Sequence, residues 1–177
     1  SQHSNVCVQP PKAKPRPIHN MKCVMTDMPR NAALRLIAAQ WSFSEWGELY
    51  PDDSVQWYLD LYAASEQDER SLPVCLAALN EGGEIVGTAS LIENDELPNA
   101  PEPGPWVAAV YVDNAYRGTG VGTELVLEIV RRSRNLGYND VYLYTESVPK
   151  WYESMGWSFI RTDHSLGVEV TVMVYRG

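Results

Sequence analysis

Between Val110 and Tyr138 the chain reads VYVDNAYRGTGVGTELVLEIVRRSRNLGY, a strand-like apolar run that passes through Gly118, Gly120 and Gly122 into a long amphipathic helix. A strand that hands over to a helix in this way is the building unit of an α/β sheet. The glycines at the junction point to a phosphate. The first turn of a helix carries backbone N–H groups without intrahelical partners, and the helix dipole adds positive potential there. Glycine lets the backbone approach a ligand and tolerates positive φ, and Arg117 would add a permanent cation beside it. The P-loop pattern has no counterpart here, because no lysine follows the glycines. The dinucleotide fingerprint would need glycine at Thr123. What stands is R-x-x-G-x-G, Arg117 to Gly122; taken alone, it is equally compatible with a tight turn.

The rest of the chain alternates between two periodicities. Residues 1–18, with QPPKAKPRP, read as a flexible proline-rich tail, and 19–177 as a single domain. HNMKCVMT is a first strand. Thr26 or Asp27 can cap a helix over RNAALRLIAAQW, whose pattern SFSEWGELYPDD then breaks. Ser54 caps a second helix, VQWYLDLYAASEQ. LPVCLAALNEGGEIVGTASLIE is a hairpin around Asn80–Gly83, and PWVAAVYVD the strand before the glycines. The long helix stops at Gly137 after a basic last turn. DVYLYTE is a strand, VPKWYESMG a short helix, and WSFIRTDH with VEVTVMVYR a closing hairpin. The order β-α-α-β-β-β-α-β-α-β-β is that of one mixed α/β sheet.

Charge narrows the partners. The net charge of −9 argues against a nucleic-acid or anionic-membrane surface. The acidity is regional: residues 41–102 carry fourteen carboxylates against one cation, Arg70. No run is apolar enough to span a membrane. Three unpaired cysteines and three scattered histidines give no metal-site spacing, so no metal is expected, and a reducing, cytoplasmic setting is.

With AVYVDNAYRGTGVG and VYLYTESVPKWYESMGW in view, the chain resembles the GCN5-related N-acetyltransferase (GNAT) family over roughly residues 20–177, most strongly from Trp106 to Trp157. The resemblance implies a mixed, mostly antiparallel sheet of six to seven strands flanked by about four helices. It implies acetyl-CoA as co-substrate, with its pyrophosphate in the R/Q-x-x-G-x-G/A loop; Asn114 stands where proline is common. Carried over by position, Gly118, Thr119, Gly120, Val121, Gly122 and Thr123 would supply the N–H groups, with Arg117 beside them. Val110 and Val112 would offer backbone groups to the pantetheine arm and acetyl carbonyl, in a gap between the fourth and fifth strands. Thr145 falls where many members carry a cofactor-contacting asparagine.

Tyr152 matches the family's general acid. An amine attacks the thioester, a tetrahedral oxyanion forms, and coenzyme A leaves as thiolate. A phenol with a pKa of about 10 stays protonated at neutral pH and can protonate that sulfur. The amine must first lose its own proton. The fourth strand holds no acid, so Glu45 and Asp95 are the candidate bases, with a solvated surface carboxylate as the alternative for each. The acidic region borders the acceptor cleft of the family, which implies a cationic acceptor: a polyamine, an aminosugar, or a peptide lysine or N-terminus. Solubility explains the same charges equally well. A non-catalytic acetyl-CoA sensor or subunit is the rival function, and a homodimer is expected by analogy.

Overall fold

The computed structural model describes residues 22–47, 54–94 and 97–177. In chain order they form β1 (Val24–Asp27), α1 (Ala32–Trp46), α2 (Val55–Ser65), β2 (Val74–Leu79), β3 (Ile85–Ile92) and β4 (Trp106–Val112). Then come α3 (Val121–Asn135), β5 (Asp140–Thr145), α4 (Pro149–Glu153), β6 (Ser158–Ser165) and β7 (Val168–Arg176). The strands build one seven-stranded sheet in the order β1-β2-β3-β4-β5-β7-β6. Every pairing is antiparallel except β4–β5. This is the architecture expected from the sequence. The proline-rich tail lies outside the described residues.

Strand alternation sorts side chains onto two helical layers. Val74, Leu76 and Ala78 of β2 point into a core with Val121, Leu125, Val126 and Ile129 of α3. The intervening Cys75 and Ala77 meet Ala38 and Ala39 of α1 and Tyr58 and Tyr62 of α2 on the opposite face. A third cluster, Ile92, Trp106, Ala108, Tyr144 and Val172, closes the sheet toward β7.

Local signals set most boundaries. Ser54 caps α2 through Oγ, which accepts from the Trp57 N–H at 3.0 Å. At the end of α3, Gly137 takes φ +98°, and the Tyr138 N–H reaches back to the Ser133 carbonyl at 3.1 Å, a glycine stop that satisfies a terminal carbonyl. The start of α1 differs from expectation. Its cap is Asn31, whose Oδ1 accepts from the Leu34 N–H at 3.0 Å, because Asp27 is still in β1. Its end differs too: SFSEW continues the helix to Trp46. The polar serines that break the apolar pattern do not break the helix, since Ser42 and Trp46 are both buried, and tertiary burial outweighs a weak local preference.

Candidate active site

The site begins with an irregularity in β4. Thr88 pairs with Tyr111 and Ser90 with Ala108, so Ala109 and Val110 stand opposite Ala89 alone. Ala109 adopts φ +52° to make this bulge, a conformation uncommon for a residue with a Cβ. The extra residue reverses the side-chain parity. Val107 faces the α3 core, and so do Val110 and Val112 after the bulge, while Ala109 turns toward Trp46 of α1.

Beyond the start of β4, its other edge has no strand partner among the described residues. β4 and β5 are in register at Trp106 and Tyr142, where the Tyr142 N–H donates to the Pro105 carbonyl at 2.9 Å. Beyond that pair the two parallel strands share no further rung, while β5 pairs with β7 on its opposite edge along its whole length. This rung-free stretch, with the Val110 backbone on its β4 side, lies where the resemblance puts the gap.

The first turn of α3 sits across the mouth of that gap because two positions lack a Cβ. A methyl group on Gly87 of β3 would come within 2.9 Å of Leu125 Cδ1 and 3.1 Å of the Tyr111 carbonyl. One on Gly122 would meet the Trp151 ring at 3.3 Å and Val112 Cγ2 at 3.4 Å. Gly122 thus brings the helix start between the end of β4 and α4, which follows β5. Gly118 and Gly120 hold φ +81° and +93°; Gly118, Thr119 and Gly120 are exposed, and space stands open around Gly120. The N–H groups of Val121, Gly122 and Thr123 have no intrahelical carbonyl to meet. A cradle of open backbone at a helix start suits a diphosphate.

The loop is braced from behind. Tyr116, in a 3-10 turn, accepts at its backbone carbonyl from both the N–H (3.3 Å) and the hydroxyl of Thr119. Its phenol oxygen accepts from Asn80 Nδ2 at 3.1 Å, and that amide also donates to Glu84 at 3.0 Å. The β2–β3 hairpin is thereby tied to the glycine loop, a contact between positions 36 residues apart that no local pattern announces.

The remaining residues singled out in the sequence fall in distinct places. Tyr152 is fully buried, its ring edge-on to Trp151 at 4.8 Å and to Trp157 at 5.8 Å. Thr145 is buried at the end of β5, and its Oγ1 accepts from the Val148 N–H at 3.3 Å; it steadies the start of the helix that carries Tyr152. The Val112 carbonyl accepts from Arg117 Nε at 3.0 Å. Arg117 Nη1 donates to Asn114 Oδ1 at 3.1 Å, and its guanidinium lies 5.2 Å from the centre of the Tyr111 ring. The arginine thus leans back over β4. Asp95 lies outside the described residues.

Glu45 is half-buried near the end of α1. Burial pushes its carboxyl above the ordinary carboxylate range, the Arg117 guanidinium draws it back down, and Glu146 beyond β5 adds to the rise. Trp41, one turn earlier on α1, stacks on Tyr111 with ring centres 5.3 Å apart and planes 25° apart. Trp41, Trp46, Tyr111 and Glu146 were not foreseen as neighbours of the site. The Trp41–Glu45 spacing of one helical turn becomes readable once the helix is extended through SFSEW.

A cavity of about 560 Å³ opens elsewhere, at the C-terminal end of α3. Its arginines are already paired, Arg132 with Asp27 at 2.6 Å and Arg30 with Glu66 at 3.6 Å, and it is remote from the glycine loop. Among the described residues, no group of His, Cys, Asp and Glu is placed to hold a metal ion, and no helix is long and apolar enough to cross a membrane.

Comparison with known proteins agrees with this geometry. The family model described as the acetyltransferase (GNAT) family matches residues 32–157. An aminoglycoside 6'-N-acetyltransferase solved with coenzyme A superposes with a TM-score of 0.66 at 17% identity, covering 86% of this chain and 96% of its own. A GNAT-family acetyltransferase of Staphylococcus aureus Mu50 gives 0.62 at 19%, covering 88% and 99%. An acetyltransferase of Streptococcus agalactiae 2603 gives 0.59 at 16%, covering 87% and 98%. No curated protein matches.

Proposed function

The chain belongs to the acetyltransferase (GNAT) family, and on that premise we propose that it moves an acetyl group from acetyl-CoA directly to the primary amine of a cationic acceptor in a ternary complex. The observation that carries this reading is the start of α3, an open glycine cradle seated across the mouth of the β4–β5 gap. The solved neighbour that holds coenzyme A has the same fold.

Gly118, Gly120, Val121, Gly122 and Thr123 hold the diphosphate through their N–H groups, and Thr119, whose N–H goes to the Tyr116 carbonyl, shapes the loop between them. The thioester supplies the activated acetyl carbon in the gap beside Val110. Backbone N–H groups on the unpaired edge of β4 stabilise the oxyanion. Glu45, whose carboxyl is raised by burial and drawn back down by Arg117, takes the proton from the attacking ammonium, directly or through water. Asp95 is the second candidate for that step. Tyr152 gives its proton to the departing sulfur; the proton that the attacking nitrogen still carries leaves as the amide forms and returns the phenolate to phenol, and Glu45 passes its own proton to solvent. Fourteen carboxylates between residues 41 and 102 draw a polyamine, aminosugar or basic peptide to the acceptor side.

Calorimetry with acetyl-CoA, followed by thiol release across amines of graded charge, tests both halves. One binding site per chain and faster turnover of cationic amines are expected. Absence of uptake would sink the acyl-transfer reading, and faster turnover of anionic amines would sink the charge preference alone.

A further inference from the structure

We propose that Arg117 serves the acceptor side of the site, as a positioning residue for Tyr111 and Glu45, and leaves the diphosphate to backbone N–H groups. This rests on the acyl-transfer reading above. Three contacts fix the side chain. Nε meets the Val112 carbonyl at 3.0 Å, Nη1 meets Asn114 Oδ1 at 3.1 Å, and the guanidinium covers Tyr111 at 5.2 Å. All three lie on the strand side of the glycine loop. The backbone explains the direction: Arg117 is extended at φ −68°, ψ 140°, and the chain reverses only at Gly118.

What the guanidinium reaches is an aromatic wall. Tyr111 is stacked on Trp41, and it packs against the cluster that Trp46 forms with Ala109 of the bulge. Glu45 lies between these two tryptophans along α1. Arg117 therefore bears on α1 through Tyr111, which stacks on Trp41, and on the proposed reading this wall borders the acceptor's approach to the gap. A guanidinium is suited to this, because its planar fork covers a ring while its N–H groups donate outward within the fork's own plane, whereas an ammonium is a point charge. Among the described residues, the charged groups that bear on Glu45 are Arg117 and Glu146, and those that bear on Tyr111 are Arg117, Glu45 and Asp113. Among the described residues Arg117 is the cation common to both sets, so it draws the Glu45 carboxyl down while it holds the Tyr111 ring in place.

The test uses the full chain with Arg117→Gln and Arg117→Lys, read by calorimetry with acetyl-CoA and by the pH dependence of kcat/KM for the best amine. Expected for Arg117→Gln are an acetyl-CoA Kd within about threefold of wild type and a kcat/KM for the amine about tenfold lower, the size of one lost charge-assisted contact. The loss falls mainly on the amine KM, and the acid limb of the profile moves to higher pH. Arg117→Lys returns the limb toward wild type without restoring KM. A Kd weakened tenfold or more with the amine KM unchanged makes Arg117 a phosphate ligand and overturns the proposal. So does an unchanged variant, or a loss tracking a lower Tm with the limb unmoved. A wild type that releases no thiol with any amine instead defeats the acyl-transfer reading itself.

Discussion

Tyr152 has two jobs that a single substitution separates. Its ring packs edge-on between Trp151 and Trp157 with no exposure, and Phe keeps that shape. Its hydroxyl carries the proposed proton. Tyr152→Phe is therefore expected to lower kcat by about a hundredfold, the lower range for a positioned general acid, while acetyl-CoA affinity and Tm stay close to wild type. An unchanged kcat would return the residue to core packing. The glycines and Tyr152 were legible in the sequence because each belongs to a short run with fixed spacing: Gly118, Gly120 and Gly122 within five positions, Tyr152 within KWYESMG. Trp41, Tyr111 and Arg117 were not legible as one cluster. They meet through the fold, Trp41 from α1 and Tyr111 from β4, and nothing in either segment states that they will stack.

Elements were legible wherever a boundary is set by local chemistry. Ser54 caps α2, Gly137 stops α3, and Asn80 with Gly83 turns the β2–β3 hairpin, each within a few residues of the feature it controls. The bulge at Ala109 was not, since WVAAVYV carries no mark that separates it from a regular strand. The end of α1 was missed because burial of Trp46 decides it. The link from β3 to β4 is also held by a distant contact. Arg161 of β6 donates to both Glu102 carboxylate oxygens, from Nε at 3.0 Å and Nη2 at 2.9 Å, and its Nη1 reaches Asp163 at 2.5 Å. The Glu102 side chain is 8% exposed, and Arg161 holds its carboxyl below the ordinary carboxylate range. A carboxyl depressed on folding adds stability that is present above its unfolded pKa and is lost as pH falls through the folded one. Glu102→Gln should therefore cost about 1.5 kcal/mol at neutral pH and flatten the acid limb of the Tm-versus-pH curve below pH ~4. An acid limb as steep as wild type would show that the pair contributes nothing to acid sensitivity.

At the scale of the molecule, the order of strands and helices could be read from periodicity, because two-residue and helical repeats alternate cleanly along the chain. The parting of β4 from β5 could not, since it depends on which strands neighbour one another. That parting has a consequence for the empty protein. A sheet that loses its rungs midway behaves as two blocks joined at one place, Trp106 and Tyr142, and by the helices that cross the seam. On the proposed reading, a pantetheine arm laid into the seam would act as a surrogate strand, knitting the blocks together through amides of its own. At a hundredfold excess over Kd, acetyl-CoA should raise the free energy of unfolding by about 2.7 kcal/mol. Amide hydrogen exchange should slow at Val110 and Val112 as well as at the start of α3. Slowing confined to α3 would mean that the ligand rests on the loop and leaves the two blocks to move apart.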